Sequence, residues 1–60
     1  MKGLMIDRLL IVDDDKFLQE NLRKLFEKEG FEVETATSGE DGMSLMEQRA
    51  FDLLILDLGL

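Results

Sequence analysis

Two short apolar runs, each stopped by an aspartate, constrain this 60-residue chain more than any other feature. Leu9-Leu10-Ile11-Val12 ends abruptly at Asp13-Asp14-Asp15, and Phe51-Asp52-Leu53-Leu54-Ile55-Leu56 ends at Asp57. A continuous apolar run of this length reads as a strand buried on both faces, as in a parallel sheet. Between the runs, Leu18, Leu22, Leu25 and Phe26 fall at i, i+4, i+7 and i+8, one stripe of an α-helix. Asp14 or Asp15 is placed to cap that helix, and Gly30 to end it in a left-handed turn. Phe31-Glu32-Val33-Glu34-Thr35 then alternates with period two, a half-buried strand whose glutamates suggest the edge of a sheet. Ser38-Gly39-Glu40-Asp41 reads as a second helix start, with Ser38 capping and two acids set against the dipole. Met43, Met46 and Ala50 continue the helical spacing with Leu45 beside them, and the Met and Phe side chains read as core. Gly42 inside this helix costs about 1 kcal/mol relative to Ala.

The order β-α-β-α-β predicts an α/β chain with a three-stranded parallel sheet. The half-exposed middle strand belongs at an edge, which gives the spatial order 2-1-3. Right-handed crossovers leaving the first strand in opposite directions set the helices on both faces, half of a doubly wound, flavodoxin-like arrangement. The chain reverses direction between the first and third strands. Ligands of open α/β sheets bind there, beyond the carboxyl ends of the strands.

Composition narrows the chemistry. There are no cysteines and no histidines, which excludes disulfides, Cys and His nucleophiles, and zinc, haem or iron–sulfur sites built on those ligands. Fourteen acids face seven bases, for a net charge of −7, so no basic surface for nucleic acid is expected and hard cations or basic partners are. With 45% hydrophobic residues the chain is too apolar for a disordered acidic tail. No apolar run approaches the roughly 20 residues of a membrane span, and Met1–Asp7 lacks the long apolar stretch of a signal peptide, so the expected setting is the cytoplasm.

Asp13, Asp14 and Asp57 are all expected just past the carboxyl ends of two strands about 4.8 Å apart. Two like charges at about 4 Å cost on the order of 4 kcal/mol at an effective dielectric near 20. Such a cluster must protonate, splay into water or hold a cation, and an oxygen-only donor set on an exposed rim favours Mg²⁺. The plainer alternative is that Asp13–Asp15 only cap a helix and Asp57 only ends a strand. Lys16 reads as a solvated helix residue.

Leu9–Asp15, the Gly30-Phe31-Glu32-Val33 turn, Ala36-Thr37-Ser38-Gly39-Glu40 and Phe51–Asp57 together resemble the response-regulator receiver domain of two-component signalling. The resemblance runs from Leu9 to Leu60. It implies a domain that takes a phosphoryl group from a histidine kinase onto an aspartate. By position Asp57 resembles the phospho-acceptor, and Asp13 and Asp14 the acidic pair that holds Mg²⁺. The main-chain carbonyl of Gly59 would be a further metal ligand, whereas Asp15 lies outside the metal pair. Receivers have five strands, and the hydroxyl residue, switch aromatic and lysine of the later strands find no counterpart in this sequence. The expectation is therefore residues 1–60 as the amino-terminal half of a receiver, ending after the acceptor strand, with the metal ligands kept and the signalling readout lost.

Two other readings compete. Asp13-Asp14-Asp15 after an apolar strand also resembles the start of haloacid-dehalogenase-type phosphatases, with Asp13 as nucleophile. That family expects Thr or Val where Phe17 stands, and it gives Asp57 no role. The other is a folding or assembly fragment without activity. A chain of this size buries only about 60% of the surface that its unfolded form exposes. The third strand, apolar on both faces yet at an edge, is therefore expected to recruit a second copy of the chain.

Overall fold

The computed structural model describes residues 7–57. Five elements follow the expected order: β1 (Arg8–Asp13), α1 (Lys16–Lys28), β2 (Glu32–Ala36), α2 (Gly39–Gln48) and β3 (Leu53–Asp57). The strands form one parallel sheet in the order β2-β1-β3 with the helices on its two faces, half of a flavodoxin-like fold. On one side Arg8 to Val12 pair in register with Glu32 to Ala36. On the other, Leu9 to Asp13 pair with Leu53 to Asp57.

Local chemistry explains each boundary. Asp15 caps α1, its Oδ1 accepting from the N–H groups of Phe17 (3.0 Å) and Leu18 (3.2 Å). At the other end the Gly30 N–H reaches the Glu27 carbonyl and the Phe31 N–H the Phe26 carbonyl. That bond pair is a Schellman motif, and it requires the left-handed φ of 103° that Gly30 adopts. The Phe26 and Phe31 rings close over it edge to face, 5.6 Å apart, the apolar contact that accompanies such a turn. Ser38 caps α2 by accepting from the Asp41 N–H. The second strand starts one residue later than its alternation suggests, because Phe31 is consumed by the turn.

The centre of the molecule is β1, where Leu9, Leu10 and Ile11 are wholly buried and Val12 is 2% exposed. Leu10, Val12 and Ala36 form a core on one face, with Leu45 and Phe51 packed against it. Gly42 lets α2 approach closely, since a Cβ there would lie 2.8 Å from Val12 Cγ2. The amino-terminal rim is pinned by a two-bond exchange: Arg8 N–H donates to the Asp52 carboxylate and Asp52 N–H to the Arg8 carbonyl, both at 2.8 Å. Arg8 also pairs with Glu32 across its register position at 3.1 Å, and Arg49 with Glu34 at 2.7 Å.

The expectation that Met and Phe side chains form the core needs correction. Phe17, Met43 and Met46 are exposed, at 78%, 61% and 43%. The inward line of α2 runs through Gly42 and Leu45, so the two methionines lie one position round from it. On α1 the inward line passes through Gln19, Leu22 and Phe26, which leaves Leu18 and Leu25 largely open. A sheet this narrow cannot cover a full helical stripe: among the described residues no Cα of either helix lies within 8 Å of a Cα of β3.

Candidate functional site

The acids expected at the switch point lie at the carboxyl rim of the sheet. Asp13 is the last residue of β1, Asp57 the last of β3, and the two are direct register partners. Asp14 follows immediately in the loop before α1, exposed to solvent. Asp57 is exposed as well. Gly59 lies outside the described residues.

Burial separates these carboxylates. Asp13 is only 2% exposed, an acidic residue directly after Leu9–Val12, the deepest run in the described molecule. Its Oδ1 accepts from the Asp15 N–H at 2.9 Å. Its Oδ2 is buried with no hydrogen-bond partner. Leaving a buried acceptor unpaired costs about 1–3 kcal/mol and more when it is charged, so an orphan of this kind marks a place for an incoming donor or cation. Asp15 is committed elsewhere, to the cap of α1. Lys16 is exposed, as expected of a solvated helix residue.

Among the described residues, no three carboxylates are drawn close enough together to hold a metal ion as they stand. The donor chemistry nonetheless fits a hard cation: the acids at this rim offer oxygen only, and the unpartnered Asp13 Oδ2 is an acceptor that no protein donor uses. On the outer surface of α1 the Arg23 guanidinium, hydrogen-bonded to Glu20, holds that carboxyl below the ordinary glutamate value. Glu20 in turn raises the guanidinium further above neutrality.

One residue at this rim was not singled out by its sequence pattern. Gln19, on α1, is 8% exposed, and its Nε2 donates to the main-chain carbonyls of Asp13 (3.3 Å) and Ala36 (2.8 Å). The signal that would have found it is helical phase. Gln19 lies three residues before Leu22 and seven before Phe26, a polar side chain on the apolar line.

Comparison with known proteins agrees with this geometry. The family model described as the response regulator receiver domain matches residues 9–60. The chain is 40% identical over 57 residues to the transcription regulator BvgA of Bordetella pertussis, covering 93% of this chain and 27% of that protein. It is 42% identical over 53 residues to the transcriptional regulatory protein CpxR of Escherichia coli, covering 88% and 22%. The alginate biosynthesis regulator AlgB of Pseudomonas syringae is likewise 42% identical over 53 residues, with coverage of 88% and 12%. The chain thus spans about a quarter or less of the length of these relatives. No solved structure matches it. A β2-β1-β3 parallel sheet, register-paired aspartates at its switch point and a family match from Leu9 onward converge on one assignment: the chain belongs to the response regulator receiver domain family.

Proposed function

We propose that Asp57 accepts a phosphoryl group from a histidine kinase, making this chain the acceptor half of a two-component signalling module. The observation that carries the reading is the Asp13–Asp57 register pair at the carboxyl end of adjacent parallel strands. Open α/β sheets present their ligand sites at that position. In the transfer a carboxylate oxygen of Asp57 attacks phosphorus in line as the P–N bond to the donor imidazole breaks. The departing nitrogen keeps the bonding pair, and the product on Asp57 is an acyl phosphate. The exposure of Asp57 suits a nucleophile that must meet a macromolecular donor. Asp13, at 2% exposed, suits a ligand, which favours this reading over a phosphatase with Asp13 as nucleophile.

Asp13, Asp14 and Asp57, with the main-chain carbonyl of Gly59, would hold Mg²⁺. When bound, the ion would neutralise charge on the phosphoryl oxygens and relieve repulsion among the carboxylates. The buried, unpartnered Oδ2 of Asp13 supports that assignment. Residues 1–60 taken alone are proposed to accept phosphate in low yield and to transmit nothing. A second copy is proposed to pair along β3, an edge strand whose three leucines are exposed.

The direct test is treatment with acetyl phosphate and Mg²⁺ followed by mass-spectrometric localisation. The expected adduct is on Asp57, absent from Asp57→Asn and retained by Asp15→Asn. An adduct on Asp13 would transfer the case to the phosphatase reading.

A further inference from the structure

We infer that Gln19 is a positioning residue for the acidic rim: its side-chain amide fixes the end of β1 and so the orientation of the Asp13 carboxylate. The inference rests on the reading of Asp13 as a metal ligand and extends it to a residue with no ligand role of its own.

Gln19 is the one buried residue of α1, where an apolar side chain would be ordinary. Both its donor contacts go to carbonyl oxygens, of Asp13 and Ala36, so only the orientation with Nε2 facing them satisfies the site. Those carbonyls lie where the β1–β2 ladder runs out, since Val12 and Ala36 are its last register pair. The amide therefore takes over as the cross-link between the two strands at the point where the sheet opens into the site. It also closes a short circuit of bonds. Asp13 Oδ1 accepts from the Asp15 N–H, the Asp15 carbonyl accepts from the Gln19 N–H at 2.9 Å, and the Gln19 side chain returns to the Asp13 carbonyl. With Asp13 held by its main chain on one side and by Oδ1 on the other, Oδ2 is left buried and unpaired. Groups that orient a ligating carboxylate in this way typically change metal affinity 10–100-fold when removed.

The test uses the full chain and two NMR readouts. One is hydrogen exchange of the Asp15 amide without metal; the other is the Mg²⁺ concentration that half-shifts the Asp13 and Asp14 amides. Gln19→Met keeps the length and removes both donors. Leu22→Ala, one turn along the same helix, serves as a control for stability loss alone. Gln19→Met is expected to speed Asp15 exchange and to weaken Mg²⁺ binding, each about tenfold, whereas Leu22→Ala leaves both within about twofold once corrected for global unfolding. An unchanged Mg²⁺ midpoint in Gln19→Met overturns the inference, and so does an equal change in Leu22→Ala. If Gln19→Met does not fold, Gln19→Asn replaces it: one methylene shorter, it cannot span both carbonyls, and an unaltered midpoint again overturns the proposal. A wild-type chain whose Asp13 and Asp14 amides ignore Mg²⁺ would instead sink the metal assignment, and the Asp15 exchange comparison would still decide whether Gln19 orders the rim.

Discussion

Strands β1 and β3 are written in nearly the same letters and live in opposite surroundings. Each is a run of aliphatic residues ended by an aspartate, and the two pair in register from end to end. Yet Leu9, Leu10 and Ile11 are fully buried, while Leu53, Leu54 and Leu56 are 47%, 44% and 60% exposed. The difference lies in the neighbours. Strand β1 has a strand on each side and a helix over each face; β3 has one strand beside it, and among the described residues neither helix backbone comes within 8 Å of it, Cα to Cα. An apolar run thus states what a strand requires, and the topology decides whether the requirement is met.

The largest effect that could break this comparison is in stability. Leu10→Ala should cost about 2–5 kcal/mol, as large-to-small changes in a closed core do, which is enough to unfold a chain this small. Leu56→Ala should cost no more than about 0.5 kcal/mol, since its side chain is already largely in water. Equilibrium denaturation of the two variants measures both, and similar losses would mean that β3 is covered in solution.

Assembly comes next. If β3 recruits a second copy, light scattering over a dilution series should find an oligomer, and Leu54→Lys should reduce it to monomer by introducing charge beside the shared edge. A wild-type monomer that stays folded at low micromolar concentration, or an oligomer indifferent to Leu54→Lys, removes the pairing proposal.

The smallest effect tests how β1 gains its cover. Gly42→Ala adds a methyl group 2.8 Å from Val12 Cγ2. Overpacking of this kind costs about 1–3 kcal/mol, against a gain of about 1 kcal/mol in helix propensity, so a modest net loss of thermal stability is expected. A gain instead would show that α2 can retreat from the sheet at little cost.

Much of this architecture was legible before any coordinates. The aspartates ending two apolar runs, the Ser38 cap, the left-handed Gly30 and the 2-1-3 order all follow from local chemistry and the handedness of crossovers, and the structure contains each of them. Helix faces were less legible, because Leu18, Leu22, Leu25 and Phe26 define a stripe without saying which line within it meets a narrow sheet. Met43 and Met46 misled for the same reason. Gln19 escaped because polar side chains on helices usually mark the solvent side, and nothing in its own letter tells that two strand carbonyls await it. The burial of Asp13 with one oxygen unpaired is likewise a property of packing, visible only once helix and sheet are together.

The clamp between Arg8 and Asp52 has a consequence for the order in which the molecule assembles and comes apart. Contacts from Arg8 to β2 close a span of 24 residues, and its bond to Asp52 a span of 44. Since each doubling of a loop costs only about 0.6 kcal/mol, distance alone scarcely disfavours β3. What sets it apart is how little it gains on arrival: a single neighbouring strand and, among the described residues, neither helix backed closely against it. Strand β3 is accordingly expected to be the last to dock and the first to peel away, as a local opening that leaves β1, β2 and the helices standing. Asp57 rides on that strand. Asp57 is thus expected to leave and rejoin its neighbours at the rim without the rest of the chain unfolding, and the amides of β3 should exchange well before those of Leu10 and Ile11.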